Sequence, residues 1–200
     1  MSTPIDFYFD FSSPYGYFAA VEIDKLAAKY SRSVNWHPIL LGPIFKALGT
    51  NSLANIPVKG DYSRHDMEST ARFHNIFYKA PSQFPIGTQV AARATLWVQQ
   101  TQPAKAVDLI KTLYSAYFTE DIDISVPEHV LRIAADNGID RAALETALGT
   151  PELKEQLRAA TEAAGKAGVF GSPFMIVDGE QFWGFDRFTQ LEAFLKNGKI

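Results

Sequence analysis

The stretch Asp10-Phe11-Ser12-Ser13-Pro14-Tyr15-Gly16-Tyr17 marks the point where a predicted first strand turns into a predicted first helix. The strand before it, residues 5–11, carries Phe7, Phe9 and Phe11 on one face at period 2. Apolar residues then recur at helical spacing: Phe18, Val21, Leu26 and Tyr30. The pattern predicts a β-strand followed directly by an α-helix that extends to about Ser31.

Ser13 lies just outside the predicted helix, and Pro14 suits the first helical turn because its missing N–H would be unpaired there. A small hydroxyl group at this position faces free backbone N–H groups and the positive end of the helix dipole. The pattern is typical of a site that holds an anion or a thiolate. An ordinary N-cap is the commoner explanation of such a serine, so the local sequence by itself favours the N-cap and leaves the functional role open.

The end of the chain supplies the second half of a fold. Residues 169–184 predict a short loop containing Pro173 and then a hairpin that turns at Asp178-Gly179. Phe185-Asp186-Arg187 opens a last helix that extends to about Lys196. A βαβ start and this finish are the two halves of a thioredoxin-like fold, in which the loop proline is cis and faces the turn after the first strand.

Composition limits the possible functions. The chain has 200 residues, 46% of them hydrophobic, a net charge of −3 and no cysteine. The charge argues against a nucleic-acid or anionic-membrane partner. No segment approaches the ~18 apolar residues of a membrane span, and residues 1–6 lack the features of a signal peptide. We therefore expect a cytoplasmic protein. Without cysteine, disulfide exchange is excluded, and any thiol chemistry requires a thiol cofactor.

The middle of the chain predicts helices throughout. We expect an α/β, thioredoxin-like domain split between residues 1–42 and 167–200, with an all-helical insertion at 43–166. Ser125-x-x-Glu128 predicts a capping box for one of the inserted helices. We expect no metal site, because the acidic residues and histidines of the insertion lack a ligand motif. A functional site is expected in the cleft between the two lobes.

Three ordered motifs carry a resemblance to a known family. They are Phe7-Tyr8-Phe9-Asp10-Phe11-x-Ser13-Pro14-Tyr15, Phe170-Gly171-Ser172-Pro173 and Trp183-Gly184-Phe185-Asp186-Arg187, with a weaker match at Asp121-Ile122-Asp123-Ile124. Together they span almost the whole chain. The sequence resembles the 2-hydroxychromene-2-carboxylate isomerase family, relatives of the kappa-class glutathione transferases in the DsbA-like branch of thioredoxin folds.

The resemblance implies glutathione as the cofactor. Ser13 matches the serine that donates a hydrogen bond to the glutathione sulfur, and it is the expected catalytic residue. Ser172, the residue before the cis-proline Pro173, matches the residue whose backbone pairs with the cysteinyl part of glutathione like an added strand.

The resemblance also implies partners for the two ends of glutathione. Asp186 matches the acid that binds the γ-glutamyl ammonium group, and its position is also that of an N-cap. Lys59 matches the lysine that binds the glycyl carboxylate. An asparagine of the preceding loop falls at Thr50 or Asn51, of which Asn51 is the chemically suitable residue. Phe185 departs from the pattern, because relatives often carry a polar residue there for the γ-glutamyl carboxylate.

The implied activity is the glutathione-dependent cis–trans isomerisation of a small aromatic unsaturated pyruvate, an aromatic-catabolism reaction, by a homodimer. Several aromatic side chains are candidates to line the substrate site, although packing into the core is the commoner fate of such residues: Phe11, Tyr15, Phe77, Tyr78 and Trp183. Two alternatives remain open. One is a kappa-like glutathione transferase acting on another electrophile, and the other is a non-catalytic DsbA-like module that binds an extended peptide.

Overall fold

The computed structural model describes residues 3–200, in which four strands form one mixed sheet in the order β2-β1-β3-β4. The strands are β1 (Ile5–Phe9), β2 (Val34–Pro38), β3 (Phe174–Val177) and β4 (Glu180–Trp183). β1 is parallel to β2, whereas β3 is antiparallel to both β1 and β4. The carboxyl ends of β1, β2 and β4 and the amino end of β3 therefore meet at one edge of the sheet. The expected α/β, thioredoxin-like arrangement is confirmed.

Nine helices accompany the sheet in the described part of the chain. They are α1 (Pro14–Lys29), α2 (Leu41–Leu48), α3 (Lys59–Phe73), α4 (Gln89–Thr101), α5 (Ala106–Glu120), α6 (Pro127–Asp136), α7 (Arg141–Gly149), α8 (Pro151–Lys166) and α9 (Phe188–Asn197). Helices α2 to α8 all lie between β2 and β3 in the chain. The division into domains at 1–42, 43–166 and 167–200 stays a prediction. Met1 and Ser2, the start of the segment searched for a signal peptide, lie outside the described residues.

The inner face of β1 is the centre of the core. Ile5, Phe7 and Phe9 are fully buried, as period-2 alternation on a half-buried strand predicts. The ring of Phe9 contacts the ring of Tyr114 on α5 at 5.8 Å between centroids, so one hydrophobic core joins the sheet to the helices. Phe11 is also fully buried, which places it in the core and excludes it as a wall of the substrate site.

Two features of the sheet lie where short sequence motifs predict them. Asp178 and Gly179 both have positive φ, 51° and 85°, as a tight hairpin between β3 and β4 requires. β2 is an edge strand, the expected place for Pro38. In the part of the chain that the structure describes, no helix combines the length and apolarity needed to cross a bilayer.

One predicted cap is wrong. The residue that caps α6 is Val126, which provides no side-chain hydrogen bond, so the Ser125-x-x-Glu128 capping box does not form. The backbone N–H of Ser125 instead donates to the Asp123 carboxylate at 2.8 Å, and Glu128 pairs with Arg141. In a capping box the Ser125 N–H would pair with the Glu128 side chain. The Asp123 carboxylate accepts from that N–H instead and forms a local turn.

Candidate active site

Three segments meet at the sheet edge where β1 and β4 end and β3 begins. The backbone N–H of Asp10 donates to the Ser172 hydroxyl oxygen at 3.0 Å, and the N–H of Gly184 donates to the Pro173 carbonyl at 3.0 Å. The Ser13 hydroxyl donates to the Ser172 carbonyl at 2.8 Å. The turn after β1, the loop before β3 and the turn after β4 are thereby held side by side.

Ser13 is the N-cap of α1, as the sequence predicts. Its backbone is extended, with φ −91° and ψ 113°, and its Oγ accepts a hydrogen bond from the Gly16 N–H at 3.0 Å. Pro14 occupies the first helical position. The Ser13 side chain therefore sits at the positive end of a 16-residue helix, where a hydroxyl donor and the helix dipole both favour an anion.

Ser172 and Pro173 face this turn, and their peptide bond is cis, as expected for the loop proline of this fold. The absence of a side chain at Gly16 allows the loop that contains Ser172 to approach α1 closely. A Cβ atom on Gly16 would lie 2.7 Å from the Tyr114 hydroxyl and 2.8 Å from the Ser172 hydroxyl, closer than side-chain carbons pack. Only glycine fits at this position without displacing the groups behind Ser13.

A buried carboxylate supports the turn, and the sequence reasoning did not assign it a role. Asp10 is 3% exposed, and its carboxylate accepts hydrogen bonds from the Ser12 N–H and hydroxyl, both at 2.9 Å. It also accepts from the Thr88 hydroxyl at 2.8 Å and from the Leu41 N–H at 2.7 Å. Asp10 thus links the Ser13 turn to the starts of α2 and α4. The sequence does contain a signal for this role, since Asp10 stands between the aromatic residues Phe9 and Phe11 at the end of the predicted strand.

Tyr114 closes the network from α5. Its hydroxyl donates to the Asp10 carbonyl at 3.0 Å. Complete burial and the nearby Asp10 carboxylate raise the pKa of Tyr114 well above its usual value. The phenol therefore stays neutral and serves as a fixed donor that holds the backbone ahead of Ser13.

Two tyrosines of α1 contact the α3 region. The Tyr15 hydroxyl donates to the Asp66 carboxylate at 2.5 Å, and the Tyr17 hydroxyl donates to the Phe77 carbonyl at 2.8 Å. Burial, followed by the hydrogen bond to Asp66, raises the pKa of Tyr15 far above its usual value. Tyr15 therefore remains a hydrogen-bond donor at neutral pH. Tyr15, a candidate wall of the substrate site, is half-buried and hydrogen-bonded to α3.

Asp186 lies beside the site but is not the cap of a helix. It occupies the middle of a 3-10 turn, Phe185–Arg187, that precedes α9, and neither element has a side-chain cap. The Asp186 side chain is 72% exposed, with the Arg187 guanidinium 3.6 Å away. The N-cap alternative for Asp186 is therefore wrong, and its carboxylate remains accessible to a ligand.

Phe185 points the other way, into the core. It is 4% exposed, and its ring contacts Phe18, His74 and Phe188 at centroid distances of 5.9, 4.6 and 4.9 Å. Its side chain therefore fills space between α1, α3 and α9 and does not line the exposed edge beside Asp186.

Asn51 and Lys59, like Asp186, form no hydrogen bond with Ser13 in the described part of the chain. Both are exposed, Asn51 in the loop after α2 and Lys59 as the first residue of α3. Among residues 3–200, neither side chain forms a hydrogen bond or a salt bridge. Their polar groups are free to meet a ligand.

The remaining aromatic candidates lie at different depths. Phe77 and Trp183 are 71% and 52% exposed, and Trp183 packs on Phe170 at 4.8 Å beside the Ser172 loop. Tyr78 is half-buried, and burial raises its pKa to about 12. Within the described ranges, no group of histidine and acidic side chains is placed to hold a metal ion.

Comparisons with known proteins agree with this geometry. Residues 4–196 match the family model described as a DSBA-like thioredoxin domain. A 2-hydroxychromene-2-carboxylate isomerase from Sphingobium xenophagum is 30% identical over 98% of this chain and 99% of its own. The glutathione S-transferase kappa 1 of Rattus norvegicus is 27% identical over 98% of this chain and 91% of its own.

A solved structure of a 2-hydroxychromene-2-carboxylate isomerase is similar over 96% of this chain and 94% of its own, with a TM-score of 0.87 and 28% identity. Both the sequence and the arrangement of elements therefore match along nearly the full length of these relatives. The chain belongs to the DSBA-like thioredoxin domain family and, within it, to the 2-hydroxychromene-2-carboxylate isomerase family of enzymes.

Proposed function

We propose that this chain is a glutathione-dependent isomerase that interconverts the cis and trans forms of a small aromatic unsaturated pyruvate. The strongest support is the Ser13 hydroxyl, held at the N-terminus of α1 against the Ser172 carbonyl in a chain that has no cysteine. The sequence similarity to 2-hydroxychromene-2-carboxylate isomerases over nearly the whole chain supports the reaction class.

The residues at the sheet edge fit glutathione in charge and in exposure. The Ser13 hydroxyl is a donor for a thiolate, and the Ser172 backbone offers the end of a strand to a peptide. The accessible Asp186 carboxylate suits the γ-glutamyl ammonium group. The unpaired Lys59 ammonium suits the glycyl carboxylate, and the Asn51 amide lies in the loop that precedes it.

Ser13 favours the thiolate form of the cofactor. A hydrogen bond to a charged acceptor contributes about 1.5–3 kcal/mol, and the helix dipole adds about 0.3–1 kcal/mol. Together they lower a thiol pKa by about 1.3–3 units, from about 8.5 to about 5.5–7.2. A large share of the thiol is then ionised at neutral pH without a general base.

When bound, glutathione would supply a thiolate that adds reversibly to an unsaturated carbon of the substrate. The carbon–carbon bond would be single, and free to rotate, until the thiolate leaves and the double bond re-forms with no net oxidation or reduction. The chain holds and orients the reacting groups. Ser13 holds the sulfur at the helix terminus, Asp186 and Lys59 hold the two ends of the peptide, and Asp10 and Tyr114 keep the Ser13 turn in place. The exposed ring of Trp183 offers an apolar wall for an aromatic substrate.

Calorimetric titration of the full chain with reduced glutathione tests the proposal. We expect binding in the micromolar to millimolar range, accompanied by the ultraviolet absorbance of a thiolate. Ser13→Ala should lose that absorbance and most of the isomerase turnover while remaining folded. No binding at millimolar glutathione, or full turnover in Ser13→Ala, would overturn the proposal and favour the peptide-binding module.

Thr150→Ala is the matched control. Thr150 caps α8 as Ser13 caps α1, accepting from the Leu153 N–H and donating to the Ala147 carbonyl at 2.8 Å. Removing either cap should lower the free energy of unfolding by about 0.5–2 kcal/mol. Only the Ser13 variant should lose thiolate absorbance and turnover.

The relationship to a kappa-class glutathione transferase supports a second candidate, in which the same thiolate is transferred to another electrophile. Product analysis separates the two functions. An isomerase leaves the glutathione concentration unchanged as substrate is converted, whereas a transferase consumes one glutathione for each product molecule formed.

A homodimer and a cytoplasmic location are further parts of the proposal, and they rest on the family resemblance. Sedimentation equilibrium of the purified chain tests the oligomer, since a homodimer has twice the 22.2 kDa chain mass. Fractionation of the cells that produce the chain tests the location.

A further inference from the structure

Lys59 and Asp66 lie on the same face of α3. Seven residues turn an α-helix through about 700°, which is within about 20° of two full turns. Lys59 therefore projects in nearly the same direction as Asp66, about 10 Å nearer the start of the helix. Because Asp66 accepts the Tyr15 hydrogen bond, this is the face that α3 turns toward the start of α1.

Helix α3 makes a close backbone contact at its start, where a Cβ on Gly60 would lie 2.7 Å from the Ala54 carbonyl oxygen. Its buried residues are mostly small: Gly60, Ser63, Met67 and Ala71. Met67 is the one large member of this set, and methionine is flexible and tolerates alternative packing. After Gly60, small side chains offer few interlocking contacts, so a directional hydrogen bond at Asp66 has more influence on how the helix is oriented about that contact.

Tyr15 provides that bond from the first turn of α1, close to Ser13. Its hydroxyl reaches the Asp66 carboxylate at 2.5 Å, and the raised pKa of Tyr15 keeps the donor protonated. Tyr17 makes a comparable bond to the Phe77 carbonyl at 2.8 Å, but beyond the end of α3 and away from Lys59. The two hydroxyl groups thus contact the same region at different places.

We propose that the Tyr15–Asp66 hydrogen bond sets the rotation of α3 and so directs Lys59 toward the glycyl carboxylate of glutathione. This inference rests on the proposed function, because it takes glutathione as the ligand. Tyr15 and Asp66 are positioning residues that act through Lys59. Their loss should weaken the contact with the glycyl end alone and leave the γ-glutamyl and cysteinyl contacts intact.

Calorimetric titration of Tyr15→Phe with two ligands tests this inference. Glutathione has the glycyl carboxylate, whereas γ-glutamylcysteine lacks the glycine. An accessible ion pair supports a difference in affinity of up to about fivefold. We expect Tyr15→Phe to bind glutathione more weakly, by up to about fivefold, and to bind γ-glutamylcysteine within about twofold of the unaltered chain. In a Lys59→Ala background, adding Tyr15→Phe should cause no further loss.

Tyr17→Phe is the matched control, because it removes one hydroxyl hydrogen bond to the same region. It should lower thermal stability about as much as Tyr15→Phe and leave both affinities unchanged. Equal losses for the two ligands in Tyr15→Phe, an additive loss with Lys59→Ala, or no loss at all would overturn the positioning role. If the unaltered chain binds no glutathione, the proposed function fails as well, so the two failures are distinguishable.

Discussion

The Ser13 hydroxyl donates its hydrogen bond to the Ser172 carbonyl oxygen over 2.8 Å, although the two residues lie 159 positions apart in the chain. Ser13 has one hydroxyl proton, so it can donate to a thiolate only when it releases this carbonyl. The Ser172 carbonyl is then open to an N–H group of an added peptide. Under the proposed function, binding of the cysteinyl backbone and activation of its sulfur are therefore linked through one hydrogen bond.

Gly16→Ala should destabilise the fold. A methyl group there would lie 2.7 Å from the Tyr114 hydroxyl and 2.8 Å from the Ser172 hydroxyl. Overpacking of this kind costs about 1–3 kcal/mol, and chemical denaturation measures it. Gly165→Ala in α8 is the control, because no atom outside its own stretch of helix lies within 4 Å of the added carbon. It should stabilise the helix by about 0.5–1 kcal/mol. Equal effects of the two variants would contradict the close approach at Gly16.

Asp10→Asn should lower the free energy of unfolding by about 1.5–3 kcal/mol. The Asp10 carboxylate accepts four hydrogen bonds, and an amide nitrogen in place of one oxygen would face a donor such as the Leu41 N–H. Asp136→Asn, at an exposed position in α6, should change stability by less than about 0.5 kcal/mol. Urea unfolding of both variants provides the comparison, and a neutral Asp10→Asn would argue against the network.

Phe185→Ser, which introduces a small polar residue of the kind that the family resemblance implies here, should destabilise this chain and fail to improve glutathione affinity. Phe185 is 4% exposed among three rings, and truncating a buried phenylalanine costs about 3–5 kcal/mol. Phe77→Ser, at a side chain that is 71% exposed, is the control and should have little effect. Thermal unfolding and calorimetry measure both quantities. A gain in affinity at unchanged stability would mean that position 185 faces the ligand.

The ion pair between Asp178 and Arg32 at the hairpin turn should contribute to the free energy of unfolding at neutral pH, and acid should remove that contribution. Hydrogen bonds from Arg32 and Thr3 hold the pKa of Asp178 below its usual value of 3.8, with the Arg32 guanidinium 2.6 Å away. Because the folded state binds the Asp178 proton more weakly than the unfolded state, this stability is fully present above about pH 4 and is lost as the pH falls through the lowered pKa. Asp178→Asn should therefore be less stable than the unaltered chain at pH 6, and the gap should narrow below pH ~4. Urea unfolding at a series of pH values measures the gap, and a constant difference would contradict the pairing.

Interactions between near neighbours were readable from the sequence. The period-2 phenylalanines of β1, the Ser13-Pro14 start of α1 and the Asp178-Gly179 turn all appear where the pattern predicts them. These features depend on backbone conformation and on partners a few residues away. The predicted capping box at Ser125 does not form, and its competitor is also a near neighbour: the Asp123 carboxylate accepts the hydrogen bond of the Ser125 N–H.

The supporting groups of the site could not be predicted in this way. Asp10 accepts a hydrogen bond from Thr88, which is 78 positions away in the chain, and Tyr15 donates one to Asp66, which is 51 positions away. Nor does the sequence say that Phe185 points into the core while its neighbour Asp186 stays exposed.

The sequence by itself determined the order of strands and helices, the serine at the start of α1 and the absence of a protein thiol. Only the tertiary structure decided which groups surround that serine, because strand pairing and helix packing bring distant residues within hydrogen-bond distance. A short-range sequence pattern can identify a hydrogen-bond donor or acceptor, but the tertiary packing of the chain decides which group becomes its partner.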